Sequence, residues 1–229
     1  MPSRGLFTPA PSKSANATNS SRCVETAARW LSEGKRLDMQ GLADELGVSR
    51  ATLFRHSGGR EAVISKALWV LTERTLMAAS QRWEAERPEG ALHTLGTGRH
   101  FNAIVGRAPG LRRLLDDEPA LAMRVLTDPR GRIQAGIVSF VEALLRRDMA
   151  EFGLVPLIGP DALAYALVRL GESFLYADVL AARTPDVETA DRLQQALIEG
   201  IVHGGLTRTG ATTHPRPSQL SGRGSLAGL

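Results

Sequence analysis

Residues 47–59 of this chain, GVSRATLFRHSGG, gather cationic and hydrogen-bonding side chains on one short segment that begins with a glycine. Arg50 and Arg55 carry guanidinium groups, which can bond a guanine edge or a phosphate, and Thr52 and His56 can hold phosphates. The segment contains no Asp or Glu, so it would not repel a polyanion. The chemistry that this pattern favours is recognition of a nucleic acid rather than catalysis.

The residues around this segment predict two short helices that cross closely at a glycine turn. Gly47 ends the first helix, and Val48 lies where it can fill the angle between the two helices. The predicted packing positions are Leu42, Ala43, Leu46, Val48 and Leu53. This is the spacing of a helix-turn-helix, and it leaves the outward side chains of the second helix free.

A short basic helix could also be no more than a solvated surface, and isolated charges would favour that interpretation. The apolar scaffold favours DNA binding instead, because it fixes the direction in which the second helix faces. Arg60 opens the following helix, whose N-terminal amides also suit a phosphate. The predicted DNA-binding residues are Ser49, Arg50, Ala51, Thr52, Phe54, Arg55, His56 and Arg60.

Capping residues and apolar periodicity predict helices throughout the chain. The first helix is predicted at 21–33, Asp38 and Ser49 are N-caps for the next two, and the fourth helix reaches about Trp83. No run of alternating β-branched residues closed by a hairpin turn occurs. Further helices are predicted at about 91–106, 109–116, 118–126, 129–152, 160–182 and 187–204. The chain is therefore expected to be all-α, with an N-terminal helix-turn-helix three-helix domain and a C-terminal helical domain.

Composition and length restrict the class of protein. The chain has 229 residues, of which 43% are hydrophobic and 23% charged, as in an ordinary globular protein. No apolar run is long enough to span a bilayer, and the first residues lack the apolar core of a signal peptide. With one cysteine an internal disulfide is impossible. We therefore expect a cytoplasmic protein with no cofactor and no metal site.

The positive charge of the chain lies at its two ends. Net charge is +4, and the stretches 1–22 and 204–229 hold six of the 28 Lys and Arg but none of the 24 acids. Both stretches are rich in Ser, Thr, Pro and Gly, and such segments bury too little apolar surface to fold alone. The expected division is a disordered basic tail, a DNA-binding domain with its linker helix, a ligand-binding and dimerisation domain and a second disordered tail, at 1–20, 21–83, 84–204 and 205–229.

The stretch LADELGVSRATLFRHSGGREAVISKAL resembles the DNA-binding segment of TetR-type transcriptional regulators. The resemblance covers about residues 20–80 and implies an all-α homodimer with an N-terminal DNA-binding domain and a C-terminal ligand and dimerisation domain. The stretch SRATLFRHSGGREAV is similar to a subgroup that includes regulators of quorum-signal lactone breakdown.

The resemblance also implies roles for particular residues. Arg50, Ala51 and Thr52 would read bases and phosphates, and His56 and Arg60 would contact phosphates. The chain departs from the family pattern at three positions. Asp38 stands where the family often has a Thr or Ser that touches a phosphate, Phe54 replaces a common Tyr, and Ser57 replaces a common Phe.

A polar stripe runs along the predicted helix 160–182. Its members recur at three and four spacing and so share one face of the helix. Such a stripe is consistent with a pocket wall, with an internally satisfied Arg–Glu pair, or with the seam of a dimer formed by 160–182 and 187–204. With two residues of the helix 91–106, the candidate ligand-binding residues are His100, Asn102, Tyr165, Arg169, Glu172, Ser173 and Tyr176.

Three functions are weighed on these patterns. The leading hypothesis is a ligand-responsive regulator, a repressor rather than an activator, that binds a palindromic operator as a homodimer and is released by a small lipophilic effector. The alternative is a constitutive DNA-binding regulator without a ligand, and a well-packed C-terminal interior would favour it. An all-helical enzyme is the remote alternative, because no nucleophile motif, phosphate loop or useful carboxylate pair occurs.

Overall fold

The computed structural model of the chain describes residues 13–128 and 130–207, with side chains from residue 19 to residue 201 within those ranges. The described residues contain helices and no strand, which confirms the all-α prediction. Among them, no helix combines the length and the hydropathy that crossing a membrane requires. The predicted tail segments 1–12 and 208–229 lie outside the described residues.

The N-terminal helices are α1 (Lys13–Ser32), α2 (Met39–Leu46) and α3 (Arg50–Ser57), followed by the long α4 (Arg60–Glu86). The side chain of Asp38 caps α2 by accepting a hydrogen bond from the Gly41 amide at 2.7 Å. Gly47 ends α2 in the left-handed region at φ 68°, and Ser49 caps α3. These caps and the turn are the predicted ones.

The scaffold of the helix-turn-helix is also the predicted one. Leu42, Ala43 and Leu53 are buried, and Leu46 and Val48 pack against them half-buried. The position of the α1 start differs from the prediction, since α1 begins at Lys13 rather than near residue 21, and part of the predicted disordered tail is helical. Residues 13–20 contain neither Pro nor Gly, so nothing in this polar stretch stops the helix.

Seven further helices form the C-terminal bundle, here meaning residues 93–207. They are α5 (His93–Val105), α6 (Pro109–Asp117), α7 (Pro119–Thr127), α8 (Arg132–Phe152), α9 (Pro160–Glu172), α10 (Asp178–Leu180) and α11 (Val187–Thr207), with a π-helical turn, Ser173–Ala177, between α9 and α10. The prediction of one continuous helix over 160–182 therefore missed a change of helical pitch at Ser173.

Helices α6 and α7 fasten the C-terminal bundle to the N-terminal helices. Gly110 in α6 lies directly on the backbone of Leu31 in α1, because a β-carbon built at Gly110 would stand 1.6 Å from the Leu31 carbonyl oxygen. The Arg113 guanidinium donates to the Gly34 carbonyl at 2.9 Å. In α7, Arg124 makes two hydrogen bonds of 2.7 Å to the carboxylate of Glu61 in α4.

A second junction holds the other end of α4. His93 is fully buried, and its two ring nitrogens lie 2.6 Å and 2.7 Å from carboxylate oxygens of Glu84 in α4 and Glu151 in α8. The buried Asp148 carboxylate accepts the amides of His93 and Thr94, which start α5. Helices α4, α5 and α8 thus meet at one polar cluster.

Candidate DNA-binding surface and ligand cavity

The outward face of α3 presents most of the predicted DNA-binding residues. Ser49, Arg50, Ala51, Phe54 and Arg55 are exposed, and the ring of Phe54 is 62% exposed. Within the described residues neither Arg50 nor Arg55 forms an ion pair, whereas many other arginines of the chain do. Two guanidinium groups without ion-pair partners, beside an exposed aromatic ring, form a surface suited to a nucleic acid, which has an anionic backbone and stacked bases.

A small hydrogen-bond network orders the start of α3. Ser49 Oγ donates to Thr52 Oγ1 at 2.8 Å, and Arg55 Nη2 lies 3.4 Å from the same oxygen. Thr52 and His56 are half-buried, so the structure places both at the edge of the exposed face. The Nδ1 atom of His56 is buried and has no hydrogen-bond partner in the described part of the chain.

The structure does not bring Arg60 to the exposed face of α3. Its guanidinium makes two hydrogen bonds of 2.6 Å to the carboxylate of Glu118, the residue that precedes α7, and Arg60 Nε donates to the Leu37 carbonyl at 2.8 Å. The Arg60 hydrogen bonds, with smaller contributions from nearby charges, hold the pKa of Glu118 below its ordinary value. In this conformation Arg60 therefore joins the two halves of the molecule.

A groove of about 560 Å³ opens between the start of α2 and the exposed face of α3, lined by Arg36, Arg50 and Phe54 among others. The side chain of Arg36 is 68% exposed, and its Nε lies 3.7 Å from Glu118. Sequence reasoning missed Arg36, although a cation two residues before a helix N-cap was a usable signal. Arg36 is thus a further cation near α3, and the Arg60 side chain, although paired with Glu118, also lines the groove.

At two positions where the chain departs from the family pattern, the structure shows which hydrogen bonds the side chain makes. Backbone hydrogen bonds from Gly41 and Gln40 lower the pKa of Asp38, so it serves α2 as a carboxylate cap and has no proton to give a phosphate. Ser57 is buried, and its hydroxyl donates to the Leu53 carbonyl at 2.6 Å. The missing aromatic anchor is thus replaced by a satisfied hydroxyl.

A cavity of about 270 Å³ lies inside the C-terminal bundle. Aliphatic side chains and Phe101 form most of its wall. Its wall also includes Leu31 and Ser32 at the end of α1, five residues of α4, and Gly110 and Leu111 of α6. The cavity therefore reaches the junction at which the C-terminal bundle contacts the N-terminal helices.

Three of the seven predicted ligand-binding residues line this cavity, namely Asn102, Glu172 and Tyr176. The structure divides the predicted polar stripe, because Tyr165, Arg169 and Ser173 are exposed on the outer side of α9 and of the π-helical turn. The tighter spacing of an ideal α-helix would have put all five residues of the stripe on one side. The π-helical turn, which follows Glu172, increases the number of residues per turn, and Tyr176 within it is buried, as Glu172 is just before it.

His100 is not among the residues that line the cavity. Its ring pairs with the Glu86 carboxylate and lies 6.0 Å from the Trp83 ring, between centroids. Sequence reasoning missed the other polar side chains of the wall, which are Ser32, Thr72, Thr75, Gln194 and the two α5 threonines, Thr94 and Thr97. The spacing of the two threonines on one helix was a weak signal, but nothing in the sequence pairs Gln194 with a residue of α5.

Hydrogen bonds fix the polar groups of the cavity. The Glu172 carboxylate accepts bonds from Gln134 Nε2 at 3.0 and 3.1 Å and from Arg169 Nη1 at 2.8 Å. Asn102 Nδ2 donates to Asp191 at 2.9 Å and to Gln194 at 3.2 Å. Burial, with an added effect of the Glu172 charge, raises the pKa of Tyr176, so its hydroxyl stays protonated.

Comparison with known proteins places these features in a family. Residues 89–199 match the family model described as "Tetracyclin repressor-like, C-terminal domain". The R. erythropolis transcriptional repressor QsdR, from the TetR family, is 30% identical to this chain; the match covers 81% of this chain and 96% of QsdR, with a TM-score of 0.68.

Two more distant structures share less with this chain. They are putative TetR-family regulators from Rhodococcus sp. (18% identity, TM-score 0.46, 81% of this chain and 99% of that chain) and from Mesorhizobium loti MAFF303099 (15%, 0.48, 85% and 98%). No curated protein matches this chain. On the identity and coverage shared with QsdR, the chain belongs to the TetR family of transcriptional regulators, which are not enzymes.

Proposed function

We propose that this TetR-family regulator is a repressor that binds a palindromic operator as a homodimer and leaves it when a small lipophilic effector enters the cavity. The repressor role is supported by the similarity to QsdR, which is a transcriptional repressor. Ser49, Arg50, Ala51, Thr52, Phe54, Arg55 and His56 would form the DNA-reading surface.

One observation carries the ligand-responsive part of this proposal: the wall of the cavity includes residues of α1, α4 and α6 together. Gly110 both lines the cavity and touches the Leu31 backbone, so α6 has no free space between the cavity and α1. A ligand that needs room beside α6 would therefore have to move α6, α1 or the part of α4 that lines the cavity, residues 68–76.

Such a movement would change the distance between the two recognition helices of a dimer. Half-sites in the simplest dimeric operators lie one helical turn apart, ~34 Å, and a shift of a few ångströms weakens reading of both at once. The effector can cause this shift only if it binds the released conformation more tightly than the operator-bound one.

The exposed side of α9 and α11 is the proposed dimer seam. Tyr165 is 52% exposed and Leu193 is 44% exposed, which is unusual for large side chains in the central part of a helical bundle. Arg169 and Ser173 lie on the same exposed side of α9. In this proposal the outer part of the polar stripe contacts a second copy of the chain, and only its inner part contacts the effector.

A constitutive regulator without a ligand would need no internal cavity. A well-packed interior would have supported that alternative, whereas the bundle contains about 270 Å³ of space with polar groups in its wall. This space favours the ligand-responsive function.

The test is fluorescence-anisotropy binding of the full-length protein to the intergenic DNA upstream of its own gene, over a salt series and beside a scrambled duplex. We expect tight, selective binding with a steep salt dependence, because phosphate contacts release counterions. The same assay then measures the release of DNA by candidate effectors. Equal and weak binding to both duplexes, repeated with the neighbouring intergenic regions, would contradict the proposal.

A further inference from the structure

We infer that the cavity selects a neutral molecule with an apolar body and an N–H or O–H donor at one end, and that it rejects carboxylates and phosphates. This inference rests on the proposed function, because it names the chemical class of the effector. It is carried by the hydrogen bonds that the polar groups of the wall already make within the protein, because these bonds leave acceptor atoms free for a ligand.

Glu172 provides the strongest acceptor in the wall. Its side chain is 7% exposed, and the cation that it pairs with, Arg169, lies on the outer side of α9 with 49% of its side chain exposed. Gln134 donates to both carboxylate oxygens. A carboxylate has about four lone-pair sites, so Glu172, which lines the cavity, retains the capacity to accept one more hydrogen bond.

The amides of the wall have given three of their four N–H hydrogens to the protein. Asn102 Nδ2 has two hydrogens, and its two partners are Asp191 Oδ1 and Gln194 Oε1. Gln194 Nε2 in turn donates to the Leu167 carbonyl at 2.9 Å. What Asn102 retains is its carbonyl oxygen, which is a second acceptor in the wall.

The remaining polar groups of the wall are hydroxyls, which donate or accept according to their partner. Thr94 and Thr97 are 6% and 2% exposed, and their Oγ1 atoms are buried without a hydrogen-bond partner in the described part of the chain. The wall also contains the hydroxyls of Tyr176, Ser32, Thr72 and Thr75. Unpaired buried hydroxyls in a cavity wall are groups that a polar ligand would satisfy.

An anionic ligand would find no counter-charge here. Among the described residues that line the cavity, none is Lys, Arg or His, and the charged one is Glu172. Moving a carboxylate or phosphate into this space would cost its hydration and place it near a like charge. A neutral amide or alcohol keeps its apolar body in the aliphatic wall and gives its hydrogen to Glu172 or Asn102.

The experiment compares four probes on one alkyl chain: octanamide, octanol, methyl octanoate and octanoate. Binding to the full-length protein is measured by isothermal titration calorimetry, and DNA release is measured separately by anisotropy. We expect octanamide and octanol to bind at least about tenfold more tightly than octanoate, with the ester between them because it only accepts hydrogen bonds. Equal affinities, tightest binding of octanoate, or no binding of any probe would overturn the inference.

Glu172→Gln is the diagnostic variant, since it keeps the shape of the side chain while it removes the charge and adds a donor. Its preference for octanamide over octanoate should shrink by about tenfold or more, and Tyr176→Phe should weaken all polar probes without reversing their order. Glu188→Gln is the matched control, because the same change is made at a side chain that is 83% exposed on α11. It should leave every affinity unchanged.

The two readouts separate this inference from the proposed function. Binding of octanamide with no change in DNA affinity would contradict the effector-release function and leave the ligand class standing. Release of DNA by octanoate and not by octanamide would support effector release and overturn the ligand class.

Discussion

Arg50 has an environment that differs from that of a structural arginine. It is exposed on α3 and has no ion-pair partner among the described residues, whereas Arg60, only ten positions later, holds Glu118 with two hydrogen bonds. A guanidinium without an internal partner keeps its full capacity for bidentate bonds to a base or phosphate.

Substitution of Arg50 by Ala should reduce operator affinity by about 1–3 kcal/mol. The free energy of unfolding should change by less than about 0.5 kcal/mol, because the side chain is exposed and unpaired. Anisotropy with operator DNA and chemical denaturation measure the two quantities on the same protein sample.

Arg82→Ala is the matched control for that measurement, since it removes a guanidinium that is 68% exposed near the far end of α4. Wild-type operator affinity in the Arg50 variant would contradict the assignment of α3 as the reading helix. An equal loss in both variants would indicate a general charge effect instead.

At the scale of single residues, the sequence predicts the features that depend on nearby positions in the chain. The exposure of Arg50, Ala51 and Phe54 follows from helical periodicity and the apolar scaffold, and it was predicted. The pairing of Arg60 with Glu118 joins residues 58 positions apart, so no local pattern contains it. The residues 1–12 and 208–229 of the predicted basic tails lie outside the described residues, so their role stays a prediction.

At the scale of elements, the Glu118 carboxylate links the start of α4 to the residue before α7, in addition to the link that Arg124 makes with Glu61. Glu118 accepts both bonds from Arg60, and its side chain is only 22% exposed. Hydrogen bonds from Arg60 lower its pKa below the ordinary 4.5, so the folded state favours the ionised form. The stability from this pair is complete above pH 4.5 and is lost as the pH falls through the lowered pKa.

Glu118→Gln should therefore lower the free energy of unfolding at neutral pH by about 1–2 kcal/mol. The deficit relative to the wild type should shrink as the pH falls below 4.5, because the wild-type carboxyl then becomes protonated. Urea denaturation at a series of pH values measures both. A deficit that stays constant across the series would contradict the ion-pair explanation, and Glu188→Gln provides the surface control.

The contact between α6 and α1 leaves no room for a side chain at Gly110. Gly110→Ala should lower the free energy of unfolding by about 1–3 kcal/mol, because the new methyl group would meet the Leu31 backbone rather than a flexible side chain. Gly98→Ala is the matched control in α5, where the nearest atom to the added carbon is 4.0 Å away. That variant should be neutral or slightly more stable, since Ala favours helix. Thermal or urea denaturation of both variants checks the contrast.

Most helices of the bundle were predictable because prolines and glycines mark their ends. Pro109 and Pro160 each occupy the first position of a helix, and Gly153 ends α8 in the left-handed region. The π-helical turn after Glu172 carries no such mark in the sequence. The division of the polar stripe between cavity and surface therefore escaped prediction as well.

At the scale of the whole molecule, the proposed dimer requires that the exposed side of α11 contact a second copy of the chain. Leu193→Asp should raise the dimer dissociation constant at least about tenfold, since a buried carboxylate without a partner would be placed in the seam. Analytical ultracentrifugation over a concentration series measures this shift. Met77→Asp is the control, because Met77 is a comparably exposed apolar residue on α4. Unchanged dissociation of the Leu193 variant would remove α11 from the seam.

The end of α1 forms part of the cavity wall, and this has a consequence for the operator as well as for the effector. If occupancy of the cavity disturbs α1 and thereby lowers DNA affinity by some factor, bound DNA must lower effector affinity by the same factor. Molecules on the operator would then be less sensitive to effector than free molecules. A promoter whose operator is occupied would therefore respond at a higher effector concentration than a titration of the free protein indicates.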